Sequence, residues 1–262
     1  MLVGLSLFIV YSTWAAFQAE YYWADPYLSP FYAPPLFIPP GCAEAAEALK
    51  GCAPEGHAWL AESYYWPSWW PSWVPQSPSF LILLFPLAFR FTCYYYRKAY
   101  YRAFTWSPPT CAVQGVPQDD YKGETRFLLF QNLHRYAMYV ALLFIVILSY
   151  DAAMSFYHHK HGFGIGLGSI IMTLNVVFIA LYTFGCHSIR HLIGGRLDCF
   201  SCHAAAEMQH DAWSWQTLLN RKHMLWAWIS LYWMAFTDAY VRLCSMGVIQ
   251  DINTWGSTWV GS

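Results

Sequence analysis

Residues 127–156 read FLLFQNLHRYAMYVALLFIVILSYDAAMSF, a run whose charged side chains are Arg135 and Asp151. A helix that crosses the hydrocarbon core of a bilayer needs about 20 mostly apolar residues, and this run is long enough. Four further stretches share that property, at about 2–19, 80–104, 164–193 and 223–248. The sequence therefore predicts an all-α membrane protein, a bundle of five transmembrane helices that forms a single transmembrane domain over residues 1–262.

The composition of the chain agrees with a lipid environment. Of its 262 residues, 57% are hydrophobic and 11% are charged, whereas soluble domains carry about 25% charged residues. Aromatic residues make up 20% of the chain, and Trp and Tyr are enriched in the two headgroup belts of a membrane. The net charge of −1 argues against nucleic acid as a partner.

The basic residues predict the orientation of the bundle. All 14 Lys and Arg except Lys50, Lys160 and Arg242 lie on the side of loops 105–126 and 194–222. Basic loops stay inside, so the N-terminus is predicted inside and the C-terminus outside. The Pro/Trp-rich loop 20–78 is then external, and we expect it to lie irregularly along the membrane interface. An oxidising exterior would favour a disulfide between Cys42 and Cys52.

Cysteine and histidine side chains gather at the inner level of four predicted helices. Ionisable residues inside a membrane are costly and mark functional sites, and imidazole and thiolate are natural ligands of iron. We therefore predict an iron centre whose ligands belong to one set of six residues: Cys93, Cys186, His134, His187, His191 and His223.

Two iron cofactors are compatible with this set. A haem b would take His134 on one side of the porphyrin and His187, His191 or His223 on the other, and would leave the cysteines without a role. A Rieske-type [2Fe–2S] cluster would use two thiolates and two imidazoles, with Cys93 and Cys186 as the thiolate pair. Cys111, on an inner loop, could replace one of them.

Two other motifs are interpreted as surface features. Cys199-Phe-Ser-Cys202-His203 matches the attachment pattern of c-type haem, but the predicted topology places it inside, whereas bacteria attach that haem outside. We expect a reduced, solvent-facing loop there. The turn HHKHG at 158–162 is expected to be a solvated loop, and Asp151 and Asp238 are expected to be interfacial polar residues or parts of a proton path.

Several long strings in the chain resemble the membrane subunit of actinobacterial-type succinate dehydrogenase, the mycobacterial class of respiratory complex II with a single membrane subunit. The resemblance runs from about residue 22 to 250. The strings are ADPYLSPFY at 24–32, TCYYYRKAYYR at 92–102, PPTCAV at 108–113, GETRF at 123–127, QNLHRY at 131–136, GCHSIRH at 185–191, GGRL at 194–197 and KHM at 222–224.

The resemblance implies an enzyme of the tricarboxylic acid cycle and the respiratory chain, in the bacterial plasma (inner) membrane. Its flavoprotein subunit and iron–sulfur subunit would dock on the inner face, and complexes could associate as trimers. This chain would be a non-flavin subunit with no catalytic residue of its own. It would hold a Rieske-type cluster in place of haem and deliver electrons to menaquinone or another quinone.

The quinone is expected in the inner half of the bundle, near the cluster. The candidates for binding its ring or carbonyls are Tyr94, Gln131, Arg135, Trp226 and Trp228. Arg90 and Arg135 could instead offset the negative charge of a reduced cluster. The competing hypotheses are a haem b anchor of the same enzyme class and a cofactor-free membrane transport or assembly protein.

Overall fold

The computed structural model describes residues 2–37, 59, 68–93, 95–96, 130–195 and 199–255. These residues form seven α-helices and two antiparallel β-hairpins. The helices are α1 Leu2–Gln18, α2 Ser79–Thr92, α3 Phe130–Met154, α4 Leu167–Phe184, α5 His187–Gly194, α6 Ala204–Arg221 and α7 His223–Ser245. The strands are β1 Trp23–Ala24, β2 Tyr27–Leu28, β3 Tyr157–His158 and β4 Gly162–Phe163.

The long helices pack side by side. Helix α4 contacts both α3 and α7, α2 contacts α3, and α1 contacts α7. Large apolar side chains face outward, and Leu143 and Val146 on α3 are 58% and 66% exposed. In the described part of the chain, Leu133–Met154 and Leu167–Phe184 are long and apolar enough to cross a membrane, while α1 and α2 are shorter apolar helices.

Both hairpins lie at one end of the bundle, which we call the hairpin end. Hairpin β1–β2 follows the last residue of α1, and hairpin β3–β4 joins α3 to α4. The two hairpins meet where Asp25 Oδ2 lies 3.7 Å from Nδ1 of His158. The last turn of α7 and the first turns of α2 and α4 reach the same end.

The segment after α1 corrects one prediction. Residues 20–78 were expected to lie irregularly along the interface, but residues 26–35 are buried throughout. Tyr27, Phe31 and Tyr32 expose none of their surface, and Phe31 and Tyr32 belong to the core shared with Leu148 of α3 and Met234 of α7. This part of the predicted loop is therefore a plug inside the bundle. Cys42 and Cys52 lie outside the described residues.

A glycine allows the plug to pack so closely. A Cβ atom at Gly168, in the first turn of α4, would collide with the ring of Tyr27. The Tyr27 hydroxyl donates to Asp251 Oδ2 at 2.8 Å, and the Gly168 N–H donates to Asp251 Oδ1 at 3.0 Å. Asp251 therefore ties the segment after α7 to the plug and to α4.

Two of the predicted helices are interrupted at the other end of the bundle. The helix predicted over 164–193 breaks at Gly185 and Cys186, which separate α4 from α5. The helix predicted over 80–104 ends at Thr92, and Cys93 adopts an extended conformation with ψ 129°. Both cysteines of the predicted iron site thus lie at helix ends, where backbone groups lack intrahelical partners.

Helix α6 was not predicted, because residues 194–222 were interpreted as a loop. Its buried residues include Ala206 and Gln216, which lie about 80° apart around the helix axis. Gln216 Nε2 donates to the Cys186 carbonyl at 2.9 Å, and Asn220 Nδ2 donates to the Gly185 carbonyl at 2.8 Å. Helix α6 therefore supplies the hydrogen bonds that the break between α4 and α5 leaves open.

Candidate metal centre

Four of the six predicted ligands come together in the structure. Cys93, His134, Cys186 and His223 expose 2%, 8%, 1% and 1% of their surfaces. They come from the end of α2, the first turns of α3, the junction of α4 with α5, and the first residue of α7. We call the end of the bundle that carries them the donor end; it lies opposite the hairpin end.

The four side chains form two close pairs. Nε2 of His134 lies 3.0 Å from Sγ of Cys186, and Nε2 of His223 lies 3.8 Å from Sγ of Cys93. Both cysteines belong to one buried cluster with Phe89 and Tyr182. Each pair combines one imidazole and one thiol, and each of the four residues comes from a different element.

Thr92 sets the orientation of His134. Its hydroxyl donates to the Ala88 carbonyl at 2.8 Å, so it is left to accept from Nδ1 of His134 at 3.0 Å. This arrangement places the proton of the neutral ring on Nδ1 and directs the lone pair of Nε2 toward Cys186. Phe89 stacks parallel to the imidazole, with ring centroids 4.8 Å apart. His134 thus presents Nε2 as a ligand atom.

His223 is packed between an aromatic ring and a glycine. The Tyr182 ring stacks on its imidazole at 4.9 Å and 15°. A Cβ atom at Gly185 would lie 3.3 Å from Nδ1, so glycine at this position gives the imidazole room. Among the described residues, Nδ1 of His223 has no hydrogen-bond partner although it is buried. A buried nitrogen without a partner is rare and calls for an explanation.

Cys186 is fixed by the helix break itself. It is the residue before the first turn of α5, and its sulfur accepts from the Ser188 N–H at 3.4 Å. Its carbonyl accepts from Gln216 of α6. The backbone is therefore held on both sides of the side chain, which aims the sulfur at His134.

The donor set can be tested against the two cofactors. Among the described residues, no three His, Cys, Asp or Glu side chains gather closely enough to hold one metal ion. A [2Fe–2S] cluster of the Rieske type distributes two thiolates and two imidazoles over two irons. The two thiols and two imidazoles of the donor end match that requirement in number and kind, and the partnerless nitrogen of His223 is consistent with a ligand there. The residues fit such a cluster.

The remaining two predicted ligands are not part of this group. His187 and His191 both lie on α5 and are exposed. On the same helix, Arg190 lies with its guanidinium carbon 4.5 Å from the ring centroid of Trp213 on α6. Helix α5 therefore packs against α6, while its two histidines are exposed and are not among the buried donors.

The predicted quinone residues are only partly described. Trp226 and Trp228 are half-buried and pack against the cluster that contains Cys93 and Cys186. Nε1 of Trp226 is buried without a hydrogen-bond partner among the described residues. Arg135 is half-buried next to His134. Tyr94 and the side chain of Gln131 lie outside what the structure describes.

Two surface motifs differ from their predictions. Cys199 and Cys202 form a disulfide instead of the expected pair of reduced thiols. His203 Nδ1 accepts from the Ala206 N–H at 3.0 Å and so caps the start of α6. In the turn at 158–162, His158 is buried and not solvated, whereas His159 and His161 are exposed as expected. Cys111 lies outside the described residues.

Sequence reasoning missed the residues that position the ligands. Thr92 precedes Cys93, and its hydroxyl is what fixes His134. Gln216 and Asn220 are four residues apart on a face that also contains Trp213. This spacing, on a segment with a mixed apolar and polar composition, is the signal that could have predicted an amphipathic helix.

Comparison with known proteins identifies the family of the chain. The family model described as actinobacterial succinate dehydrogenase subunit SdhC matches residues 1–247. A chain of the Mycobacterium smegmatis Sdh1 complex in the apo form is 40% identical, with a TM-score of 0.71, over 95% of this chain and 87% of that chain. No curated protein matches. The chain therefore belongs to the family of SdhC, the membrane subunit of actinobacterial succinate dehydrogenase.

Proposed function

We propose that this chain anchors a succinate:quinone oxidoreductase in the membrane and carries electrons to a quinone through an embedded Rieske-type [2Fe–2S] cluster. The ligands would be Cys93, Cys186, His134 and His223. The observation that carries the proposal is the burial of two thiols and two imidazoles, from four separate elements, in two imidazole–thiol pairs at one end of the bundle.

This donor set favours the cluster over a haem b. A haem would use two imidazoles and no thiol, yet each imidazole here lies beside a buried sulfur. The atom that would ligate iron in His134, Nε2, lies 3.0 Å from Cys186. When bound, a Rieske-type cluster would supply a one-electron carrier whose potential lies above that of all-cysteine clusters.

The partners would be a flavoprotein subunit and an iron–sulfur subunit, since the chain is similar to a subunit of the M. smegmatis Sdh1 complex. They would dock at the donor end, near α5 and α6. Succinate oxidation in the partners releases two electrons, and one quinone takes up two electrons and two protons. The donor end would therefore pass two electrons, one at a time.

The quinone would be bound beside the donors, with Trp226 as its best-supported contact. The buried indole N–H of Trp226 has no acceptor among the described residues, and such a donor can bind a quinone carbonyl. Trp228 stacks on Tyr232 with ring centroids 5.9 Å apart and would pack against the quinone ring. Arg135, Tyr94 and Gln131 remain candidates for the second carbonyl.

The placement in the membrane is also part of the proposal. Helices α1, α2, α3, α4 and α7 would each cross the bacterial plasma membrane, with the donor end inside and the hairpin end outside. The outward-facing apolar side chains of α1 and α3 support a lipid-facing surface, with Val3 and Val146 as examples. Trimers of complexes would follow from the family.

The test uses the purified whole complex, reduced with dithionite, and combines electron paramagnetic resonance with a visible spectrum. We expect a Rieske-type signal without sharp haem bands. His134→Ala and His223→Ala should each lose the signal, because each removes one imidazole of the donor set. The signals of the iron–sulfur subunit should remain, which reports that the complex is assembled.

His187→Ala and His191→Ala are the matched controls, since both histidines belong to the same predicted set but are exposed. They should retain the signal. Sharp haem bands in the parent complex would overturn the cluster and favour axial ligation by histidine. Loss of the signal in the His187 or His191 variant, with its retention in the His134 variant, would overturn the assignment of the ligands.

A further inference from the structure

Arg90 is a buried cation whose hydrogen-bond partners are all neutral. It exposes 8% of its surface. Its guanidinium donates to the Ala227 carbonyl at 3.0 Å, to Ser230 Oγ at 2.9 Å and to the hydroxyl of Tyr96. None of the ion pairs found among the described residues involves Arg90.

An unpaired buried charge is costly, so buried charges are normally paired with an opposite charge. Arg242, the other deeply buried arginine of the described chain, follows this rule, since its Nε donates to Asp238 Oδ2 at 3.3 Å. Hydrogen bonds to neutral groups offset only part of the desolvation cost at Arg90. A negative charge in its surroundings would offset the remainder.

Arg90 lies close to the donor end. The Cys93 N–H donates to the Arg90 carbonyl at 3.2 Å, so the guanidinium and the thiol belong to residues one turn apart at the same helix end. The guanidinium carbon lies 4.7 Å from the centre of the Tyr182 ring, which stacks on His223. Arg90 thus lies directly against the group that surrounds the ligands.

We infer that Arg90 is a positioning residue that raises the reduction potential of the metal centre by stabilising its reduced form. The inference rests on the proposed function. A [2Fe–2S] cluster with two thiolates and two neutral imidazoles has no net charge when both irons are ferric, and it gains one negative charge on accepting an electron. A fixed cation in a poorly solvated site favours the state with that added charge.

Arg90 suits this role better than Arg135, the other arginine close to the ligands. Arg135 is half-buried, and solvent screens charges that it can reach. Arg90 is held by three hydrogen bonds from two of its nitrogens, so its charge keeps a fixed position. A charge that is fixed and unscreened can raise the reduction potential of the metal centre without any motion of the protein.

The test is a redox titration of the whole complex, in which the Rieske-type signal is followed by electron paramagnetic resonance. Arg90→Gln should shift the midpoint potential downward, because it removes the charge. Arg90→Lys should keep the potential close to that of the parent. Lys222→Gln, which removes one exposed charge beside His223, should shift the potential much less than Arg90→Gln does.

Ser230→Asp provides a second route if Arg90→Gln does not assemble, because it leaves Arg90 in place and gives it a carboxylate partner. It should lower the potential, whereas the neutral Ser230→Asn should not. An unchanged potential in Arg90→Gln would overturn the inference, and so would an unchanged potential in Ser230→Asp if Arg90→Gln does not assemble. In either case the Rieske-type signal would still support the cluster. Absence of the signal from the parent would overturn the proposed function and this inference together.

Discussion

The two ends of the bundle bury different polar groups. At the hairpin end, both oxygens of the Asp238 carboxylate accept hydrogen bonds, from Tyr11 at 2.5 Å, from Arg242 and from Ser29. Both oxygens of Asp251 also accept, from Tyr27, Tyr240 and the Gly168 N–H. These carboxylates join the plug, α1, α4 and α7 into one unit.

At the donor end, several buried polar atoms lack partners within the described chain. They are Nδ1 of His223, Nε1 of Trp226, the Tyr182 hydroxyl and the Thr183 hydroxyl. A satisfied network fixes one conformation, whereas unsatisfied buried groups mark places where a ligand or a strained state belongs. Partnerless buried atoms also occur at the hairpin end, where Ser79 Oγ, Asp151 Oδ2 and His158 Nε2 have no partner in the described chain. The difference between the two ends is therefore chemical: the hairpin end holds two carboxylates in hydrogen-bond networks, and the donor end gathers thiols and imidazoles.

The largest effect is expected from a comparison of cysteines at the two ends. Cys93→Ala should abolish quinone reduction by succinate, because it removes a proposed ligand. The flavoprotein subunit should continue to oxidise succinate when an artificial electron acceptor is added. Cys244→Ala changes a cysteine that is equally buried but lies near Asp251 at the hairpin end, and it should keep quinone reduction. Equal loss in both variants would contradict a functional difference between the two ends.

A second effect concerns the satisfied network. Arg242→Met should destabilise the folded chain by about 3–5 kcal/mol, the usual cost of leaving a buried carboxylate without its partner. The measurement is the midpoint of thermal unfolding of the purified complex. Asp238→Leu combined with Arg242→Met should recover part of the loss, since it leaves no charge behind. An unchanged midpoint in the single variant would show that Asp238 and Arg242 do not stabilise the hairpin end.

The smallest effect is a pH dependence at the contact between the hairpins. Burial lowers the pKa of His158 below its usual 6.5, although Asp25 acts in the opposite direction. The unfolded chain therefore binds more protons than the folded one as the pH falls below 6.5, and the hairpin end loses stability there.

Protonation would also break the hydrogen bond that Nδ1 of His158 accepts from the Lys160 N–H at 3.1 Å. Hydrogen-exchange protection factors of β3 and β4, which are corrected for intrinsic exchange at each pH, should be lower at pH 5.5 than at pH 7.5, and His158→Asn should remove the difference. Equal protection factors of the parent protein at the two pH values would contradict it.

The predictions from sequence were best where composition alone decides. Apolar runs predicted helices near α1, α2, α3, α4 and α7, because crossing a bilayer sets a length that can be counted. The predicted ligand set included Cys93, Cys186, His134 and His223, because these residue types are rare in apolar runs and occur at one level. Which four of the six lie together could not be predicted, since that depends on the exposure of α5.

The features that were missed depend on contacts between distant segments. Nothing local in ADPYLSPFY distinguishes a buried plug from an interfacial loop; its burial follows from Ser29 reaching Asp238 and Tyr27 reaching Asp251. The break at Gly185 and Cys186 is stable because Gln216 and Asn220, about 30 residues later, bind the freed carbonyls. Periodicity within one helix contains no information about such a partner.

The hydrogen bonds from α6 to the carbonyls of Gly185 and Cys186 join segments that are synthesised at different times. A ribosome completes Cys93, His134 and Cys186 before it synthesises Gln216, Asn220 and His223. The earlier three residues are therefore synthesised before the two side chains that bind the carbonyls of Gly185 and Cys186. The break between α4 and α5 gains these hydrogen bonds only once the chain extends beyond Asn220.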